Sequence, residues 1–369
     1  MMKLSIEPGL SKSIAVLFLF FLITAGLYFS KEFLVPVTIA GMLSMLLLPL
    51  QRRLQRRGVG KGFAIFLCIL ALLLLIAGIF TLIFWQITEL ASDLDKIEKH
   101  VTEILDKAKM FISHSLGISP KQQDKIVEEQ QKSASSGGMS VLATIAGSIS
   151  SVLVNFILVV VYMFLFMYFR IHLRNFILKI VPETAVENTR TILSESSKVI
   201  QKYLGGLGMM IVCLWIMYGI GYSVIGVENA LFFAVLCGLL EIVPFIGNLT
   251  GTSLTLLMVV AQGGSGGMIA AVLCTYAVIQ GIQSYLLEPL VVGAEVDINP
   301  LFTIMIIVVA EMVWGVPGMI LAIPLLGIVK IICDRVDGLK PYGFLIGKEK
   351  EDDAGGIGEK LKKLFSKKS

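Results

Sequence analysis

Eight apolar runs, at residues 13–29, 33–50, 62–85, 140–169, 204–225, 230–261, 268–287 and 301–333, constrain this chain more than any other feature. A helix rising about 1.5 Å per residue needs roughly 20 apolar residues to cross a bilayer core. Composition agrees: 56% of residues are hydrophobic and 16% charged, against roughly 45–50% and 25% in an ordinary soluble chain. The mean hydropathy is +0.85. A water-soluble fold has no way to hide this much apolar surface, so lipid must cover part of it. The expected fold is all-α, a polytopic helical membrane protein with about eight hydrophobic segments.

Charge orders the segments. The first two runs are separated only by Ser30, Lys31 and Glu32 and are expected to form a helical hairpin; no small-residue cleavage site follows the first, which therefore reads as a retained helix. Residues 51–61 hold Arg52, Arg53, Arg56, Arg57 and Lys61 and no acid, which makes this loop cytoplasmic by the positive-inside rule, and with it the amino terminus. The third run then exports residues 86–139, where nine acids face seven Lys and Arg. Residues 170–203, with six basic and three acidic residues, return to the cytoplasm, as does the lysine-rich tail. The expected organisation is membrane helices over 1–85, an extracytoplasmic helical region over 86–139, a fourth membrane helix over 140–169 and a cytoplasmic amphipathic helix over 170–203. A C-terminal membrane block over 204–335 and a charged tail over 336–369 complete it.

Two of the runs are too long and too interrupted for simple spans. Residues 230–261 would extend about 48 Å as one helix and contain Pro244, Gly247 and Gly251; residues 301–333 contain Gly315, Pro317, Gly318 and Pro324. Each is either a kinked span, the favoured expectation, or a re-entrant hairpin, and broken helices are tolerated at membrane depth only under cover of protein or water.

In the exported region, Leu90, Leu94, Ile97, Val101, Ile104, Ala108 and Phe111 follow a heptad-like spacing that suits a helical hairpin packed on itself or a seam between subunits. Ser119, Pro120 and Gln122 make a helix start there. The stretch 182–203 is amphipathic and either lies on the bilayer or docks on a neighbour. The basic tail solubilises the chain or attracts anionic lipid.

Acids inside apolar runs raise a functional expectation. Glu241 precedes Pro244, Gly247 and Asn248, which together suit a polar pocket for a cation or a hydrogen-bonding solute; capping of a broken helix is the plain alternative. Gln280, Ser284 and Glu288 share a helical face, with Gln283 beside it, either lining a pathway or bonding helices together. Glu311 precedes Pro317 and Gly318 in a weak echo of the first pattern, as in transporters built from paired interrupted segments. Residues 295–300 form a polar turn, an external gate or a connector. The Gly-Gly-Ser-Gly-Gly stretch at 263–267 lacks the lysine of a phosphate loop and reads as a linker.

No enzymatic signature is present, and no cofactor or metal is expected. His100, His114 and His172 are scattered. Cys68, Cys213, Cys237, Cys274 and Cys333 all fall in apolar stretches without a CxxC pair and are expected to be buried, inert thiols.

The segment from Glu241-Ile242-Val243-Pro244-Phe245-Ile246-Gly247 to Glu288-Pro289-Leu290-Val291-Val292-Gly293 resembles the autoinducer-2 exporter family of bacterial membrane proteins. So do Asn299-Pro300-Leu301 and Trp314-Gly315-Val316-Pro317-Gly318 with the Met319–Leu325 stretch after it. The resemblance implies a secondary transporter or permease in the bacterial cytoplasmic membrane, its partners being lipid, a small polar solute or cation, and further copies of itself, with no nucleic acid. Export of a quorum-sensing signal such as autoinducer-2 leads, followed by sodium/proton antiport, for which Glu241 and Glu311 would suit coupling. A non-transporting envelope or sporulation scaffold is the reading from outside transport.

Overall fold

The computed structural model describes residues 8–92, 137–243, 246–292 and 298–348. Among these the chain is helical. Helix α1 runs Pro8–Phe29, α2 Lys31–Arg56, α3 Lys61–Ser92 and α4 Gly137–Ile180. A short 3₁₀ turn, Glu183–Ala185, leads into α5, Val186–Ile225. Then come α6 (Ala230–Leu240), α7 (Ile246–Ala261) and α8 (Gly266–Ile282), which continues as a π-helix over Gln283–Val292. Helices α9 (Pro300–Trp314), α10 (Val316–Arg335) and α11 (Lys340–Ile346) complete the described chain. Among the described residues, six helical stretches have the length and apolarity to cross a membrane: 31–56, 61–85, 153–180, 183–225, 266–287 and 316–335. The heptad seam beyond Ser92 and the helix start at Ser119 lie outside the described residues.

Several boundaries differ from those expected. The stretch 182–203 is not a separate cytoplasmic helix, since α5 runs unbroken from Val186 into the membrane run, about 60 Å in all. It docks on its neighbours: Gln201 Nε2 donates to the Met45 carbonyl at 2.9 Å, and Asn188 Nδ2 to the Arg335 carbonyl at 2.7 Å. Residue 170 is likewise no boundary, because α4 is continuous through it. The expected α1–α2 hairpin is replaced by a bend. Ser30 keeps near-helical angles (φ −94°, ψ 13°), its N–H donates to the Gly26 carbonyl at 3.0 Å, and its own carbonyl accepts from Leu34 N–H at 2.8 Å. The described side chains of α1 stay largely outside the core clusters, and Trp314 Nε1 tethers the helix by donating to the Leu27 carbonyl at 3.0 Å.

The two interrupted runs are hairpins rather than kinked spans. In the first, α6 and α7 lie antiparallel: Gly247 abuts the Leu240 carbonyl, and a Cβ on Gly251 would sit 3.0 Å from Cys237 Cα. At about 16 Å, α6 is too short to cross a bilayer core. In the second, α9 and α10 pair antiparallel, with Gly318 against the Ala310 carbonyl and the reversal made at Gly315 (φ 65°, ψ −147°), a conformation essentially reserved for glycine. The turn expected as an external gate lies, in its described part, with the tail: Asn299 N–H donates to the Ile346 carbonyl at 2.8 Å and Ile298 bridges to Gly347. That is the end of the bundle where Arg335 pairs with Glu195.

Four apolar clusters hold the bundle. Ala40, Ile65, Cys68, Met163 and Met167 join α2, α3 and α4. Tyr218, Tyr222, Phe233, Cys237, Val259 and Val272 join α5 to the first hairpin and α8. Met42, Ile200 and Leu321 link the two halves. The tip of the first hairpin, at Val243, packs on Ile307, Met319 and Ala322 of the second. Cys68, Cys237 and Cys333 are buried as expected, whereas Cys274 is exposed and Cys213 half-buried, because the outward face of a membrane helix is covered by lipid rather than protein. Arg335 Nε donates to Glu195 Oε2 at 3.2 Å with both side chains well exposed. Arg335→Ala is accordingly expected to cost less than about 1 kcal/mol, read as thermal unfolding in detergent.

Candidate translocation site

The site forms where the first hairpin turns. Helix α6 ends at Leu240, and Glu241 is its C-terminal cap (φ −60°, ψ −16°), with its N–H donating to the Cys237 carbonyl at 3.1 Å. Ile242 and Val243 close a tight turn onto the Leu239 and Leu240 carbonyls, at 3.1 and 2.9 Å. The chain resumes helix with Gly247 N–H donating to the Val243 carbonyl at 3.0 Å. Pro244 and Phe245 lie outside the described residues. The half-buried Glu241 side chain is thus held at the apex of an antiparallel pair, facing α8.

Helix α8 supplies the other half. Gln283 Nε2 donates to Glu241 Oε1 at 2.6 Å, a short charge-assisted bond. Three residues earlier, Gln280 pairs through its Oε1 with Asn248 Nδ2 of α7. Its own Nε2 donates to Ser284 Oγ at 3.4 Å. Asn248 Oδ1 accepts from Tyr218 Oη of α5, also at 3.4 Å. Asn248 and Gln283 are 6% and 4% exposed, so the Tyr218–Asn248 bond is buried and the bonds to Glu241 and from Asn248 to Gln280 are partly so, whereas the Gln280–Ser284 bond lies at the surface. The i to i+5 winding begins at Gln283 and widens the helix there, a feature frequent at functional sites. One acceptor is left over: Gln283 Oε1 is buried with no donor among the described residues.

The expected residues therefore separate. Glu241, Asn248, Gln280, Gln283 and Ser284 come together at one junction, though across a hairpin and not along one helix face. Gly247 and Gly318 are packing glycines, each set against a carbonyl of its partner arm. Pro317 sits in the first turn of α10, beside the second tip. Glu288 lies in the π-helix. Glu311 is exposed on the last turn of α9 and its side chain enters no hydrogen bond or ion pair among the described residues, so it stands apart from the junction. Tyr218 and, beside it, Tyr222, Cys237 and Thr255, whose polar atoms lie 3.7–3.8 Å apart, were not singled out by sequence. The signal that points to them is a hydroxyl at i and i+4 within an apolar run.

The stretch of sequence that builds the junction is lopsided in charge. From residue 203 to residue 329 the chain has no Lys or Arg, while it carries Glu228, Glu241, Glu288, Glu295, Asp297 and Glu311. Among the described residues no group of three or more His, Cys, Asp or Glu side chains is arranged to hold a metal.

The profile described as "AI-2E family transporter" matches residues 17–338. The chain belongs to the AI-2E transporter family. Members similar to it include MT0215 of Mycobacterium tuberculosis, 26% identical over 87% of this chain and 89% of that protein. YueF of Bacillus subtilis is 23% identical over 89% and 93%. PerM of Escherichia coli is 23% identical over 83% and 88%. The first two bear provisional names as transport proteins and the third as a permease. The family match spans both hairpins and all the described members of the polar junction.

Proposed function

We propose that this AI-2E family protein is a secondary transporter of the bacterial cytoplasmic membrane that exports a small, uncharged, hydroxyl-rich solute through the junction of the first hairpin with α8. The observation that carries this reading is the 2.6 Å bond from Gln283 to Glu241 beside the unpaired Gln283 Oε1. A solute hydroxyl satisfies that acceptor by donating to it, and amide and hydroxyl groups from Asn248, Gln280, Ser284 and Tyr218 complete a hydrogen-bonding surface. The stretch that builds the junction, residues 203–329, has no Lys or Arg, which disfavours anions. Autoinducer-2, a polyhydroxylated furanone, belongs to the favoured class. With no nucleotide-binding motif, the driving force is a gradient, and Glu241 is the carboxylate placed to carry a coupling proton. The basic end, with Arg52, Arg53, Arg56 and Arg335, faces the cytoplasm.

Autoinducer-2 flux into proteoliposomes under an imposed pH gradient tests this. Glu241→Gln is expected to lower gradient-driven flux at least tenfold, and Glu311→Gln to leave it within twofold. Equal losses in the two variants, or no flux by the unaltered protein, would sink the reading. The acidic, Lys- and Arg-free sequence of residues 203–329 also favours a second reading, sodium/proton antiport. A pH-sensitive dye inside the vesicles separates the two, since antiport moves protons on sodium addition with no solute present and loses that movement in Glu241→Gln.

A further inference from the structure

A second polar feature lies away from the Glu241 junction, between α2, α4, α5 and α10. It is a cavity of about 890 Å³. Arg52, Arg170, Arg174, Arg190 and Lys198 line it, and no Asp or Glu does. Arg190 has a 3.8 Å contact with Glu187, both well exposed. Among the described residues the other four cations have no carboxylate within ion-pair distance. Arg170 is the telling member: its Nη1 is buried and has no acceptor among the described residues. A buried guanidinium nitrogen without a partner costs several kcal/mol as an order of magnitude, and Arg52 and Arg170 further oppose each other as like charges.

Positive-inside arginines ordinarily satisfy themselves in water at the membrane surface. Here Arg52, Arg174, Arg190 and Lys198 are exposed and Arg170 is half-buried, and together they border a space whose wall combines Met42, Met45, Phe166 and Met167 with hydroxyl and amide side chains such as Ser44, Ser197 and Gln201. At its rim Ile171, Leu173 and Ile177 are exposed, so the mouth borders the surface that lipid covers. Cations at one end, a methionine-rich wall and an apolar rim match a molecule with an anionic head and a hydrocarbon tail. A free phosphate would satisfy the cations and leave the wall unused.

We propose that this cavity is a binding site for an anionic phospholipid, with its phosphate held by Arg170 and Arg174 and one acyl chain lying along the Met45 and Phe166 wall. Planar guanidinium groups bind phosphate oxygens in pairs, and basic pockets between membrane helices are known to take such head groups. The site is independent of the transport reading. It joins α2 and α4 to α5 and α10, so its occupant bridges the two halves of the bundle.

The test uses the full chain in neutral detergent, titrated with phosphatidylglycerol or phosphatidylcholine of the same acyl chains and read by native mass spectrometry. Phosphatidylglycerol should bind at least tenfold more tightly than phosphatidylcholine. The preference should fall to parity in Arg170→Gln/Arg174→Gln and persist in the charge-retaining Arg170→Lys/Arg174→Lys. Should the glutamine variant not fold, Gly41→Leu decides alone. A Cβ on Gly41 finds only Phe166 Cε2, at 3.9 Å, so leucine fills the tail end of the cavity without touching the cations. It should weaken phosphatidylglycerol at least tenfold. Equal binding of the two lipids, or a lipid affinity unchanged by Gly41→Leu, overturns the proposal. Displacement of the lipid by millimolar inorganic phosphate, with Gly41→Leu binding phosphate as before, assigns the cavity to a soluble anion and overturns it as well.

Discussion

Gly247→Ala should destabilise the protein by about 3 kcal/mol or more, at or beyond the upper end of ordinary overpacking, measured by thermal unfolding in detergent. The added methyl would overlap the Leu240 carbonyl, a backbone group, so no side-chain rotation relieves it. Four residues on, a Cβ on Gly251 would sit 3.0 Å from Cys237 Cα, a second tight approach that blocks relief by sliding one arm past the other. The arms must separate, and separation uncouples Glu241 and Asn248 from α8. The informative contrast is Gly219→Ala in α5. There a Cβ would meet Ala234 Cβ at an ordinary 3.8 Å, and alanine should be neutral or stabilise by up to about 1 kcal/mol through helix propensity. Equal melting temperatures for the two variants would show that the close approach at Gly247 has no energetic consequence.

Gln283→Leu carries the second large effect. It removes the donor 2.6 Å from Glu241 Oε1 while keeping an apolar group of similar volume. An average hydrogen bond between membrane helices is worth about 0.6 kcal/mol, which is the loss expected if Gln283 is only interhelical glue. A bond to a charged group at a site 4% exposed should cost about 2–3 kcal/mol instead. The two magnitudes are separable in reversible unfolding. In a Glu241→Gln background the same change should cost about 1 kcal/mol or less, because no charge is left short of a donor. A loss identical in both backgrounds would mean that the two side chains are not energetically coupled.

Particular elements show how far local sequence reaches. The apolar runs read directly, since each is set by local composition and length. Asn299 before Pro300 reads in sequence only as the end of a polar turn, whereas in the structure it starts a helix, its side chain accepting from Leu301 N–H at 2.9 Å. The weakness of the α1–α2 hairpin was not legible. Ser30, Lys31 and Glu32 look like a break, yet the near-helical angles at Ser30 carry the chain on through a bend. The stretch 182–203 looked separable because it is far more polar than the membrane run after it, but helix continuity depends on backbone bonding, which polarity does not interrupt. Glu311 weakly echoed Glu241 by its neighbours in sequence. Rotation about α9 leaves it exposed, whereas Glu241 caps an arm whose apex faces α8.

The sequence by itself determined that this is a helical membrane protein, which segments are apolar, and which polar residues stand out within them. Those properties follow from the cost of exposing apolar groups to water and polar groups to lipid, and that cost acts residue by residue. Only the tertiary structure decided that the two interrupted runs fold back on themselves as antiparallel pairs. It also decided that Gln280 and Gln283 meet Asn248 and Glu241, and that basic residues from three helices surround one cavity. These outcomes depend on how closely two backbones approach at Gly247 and Gly318, and a glycine in the sequence permits that approach without naming the partner it will meet.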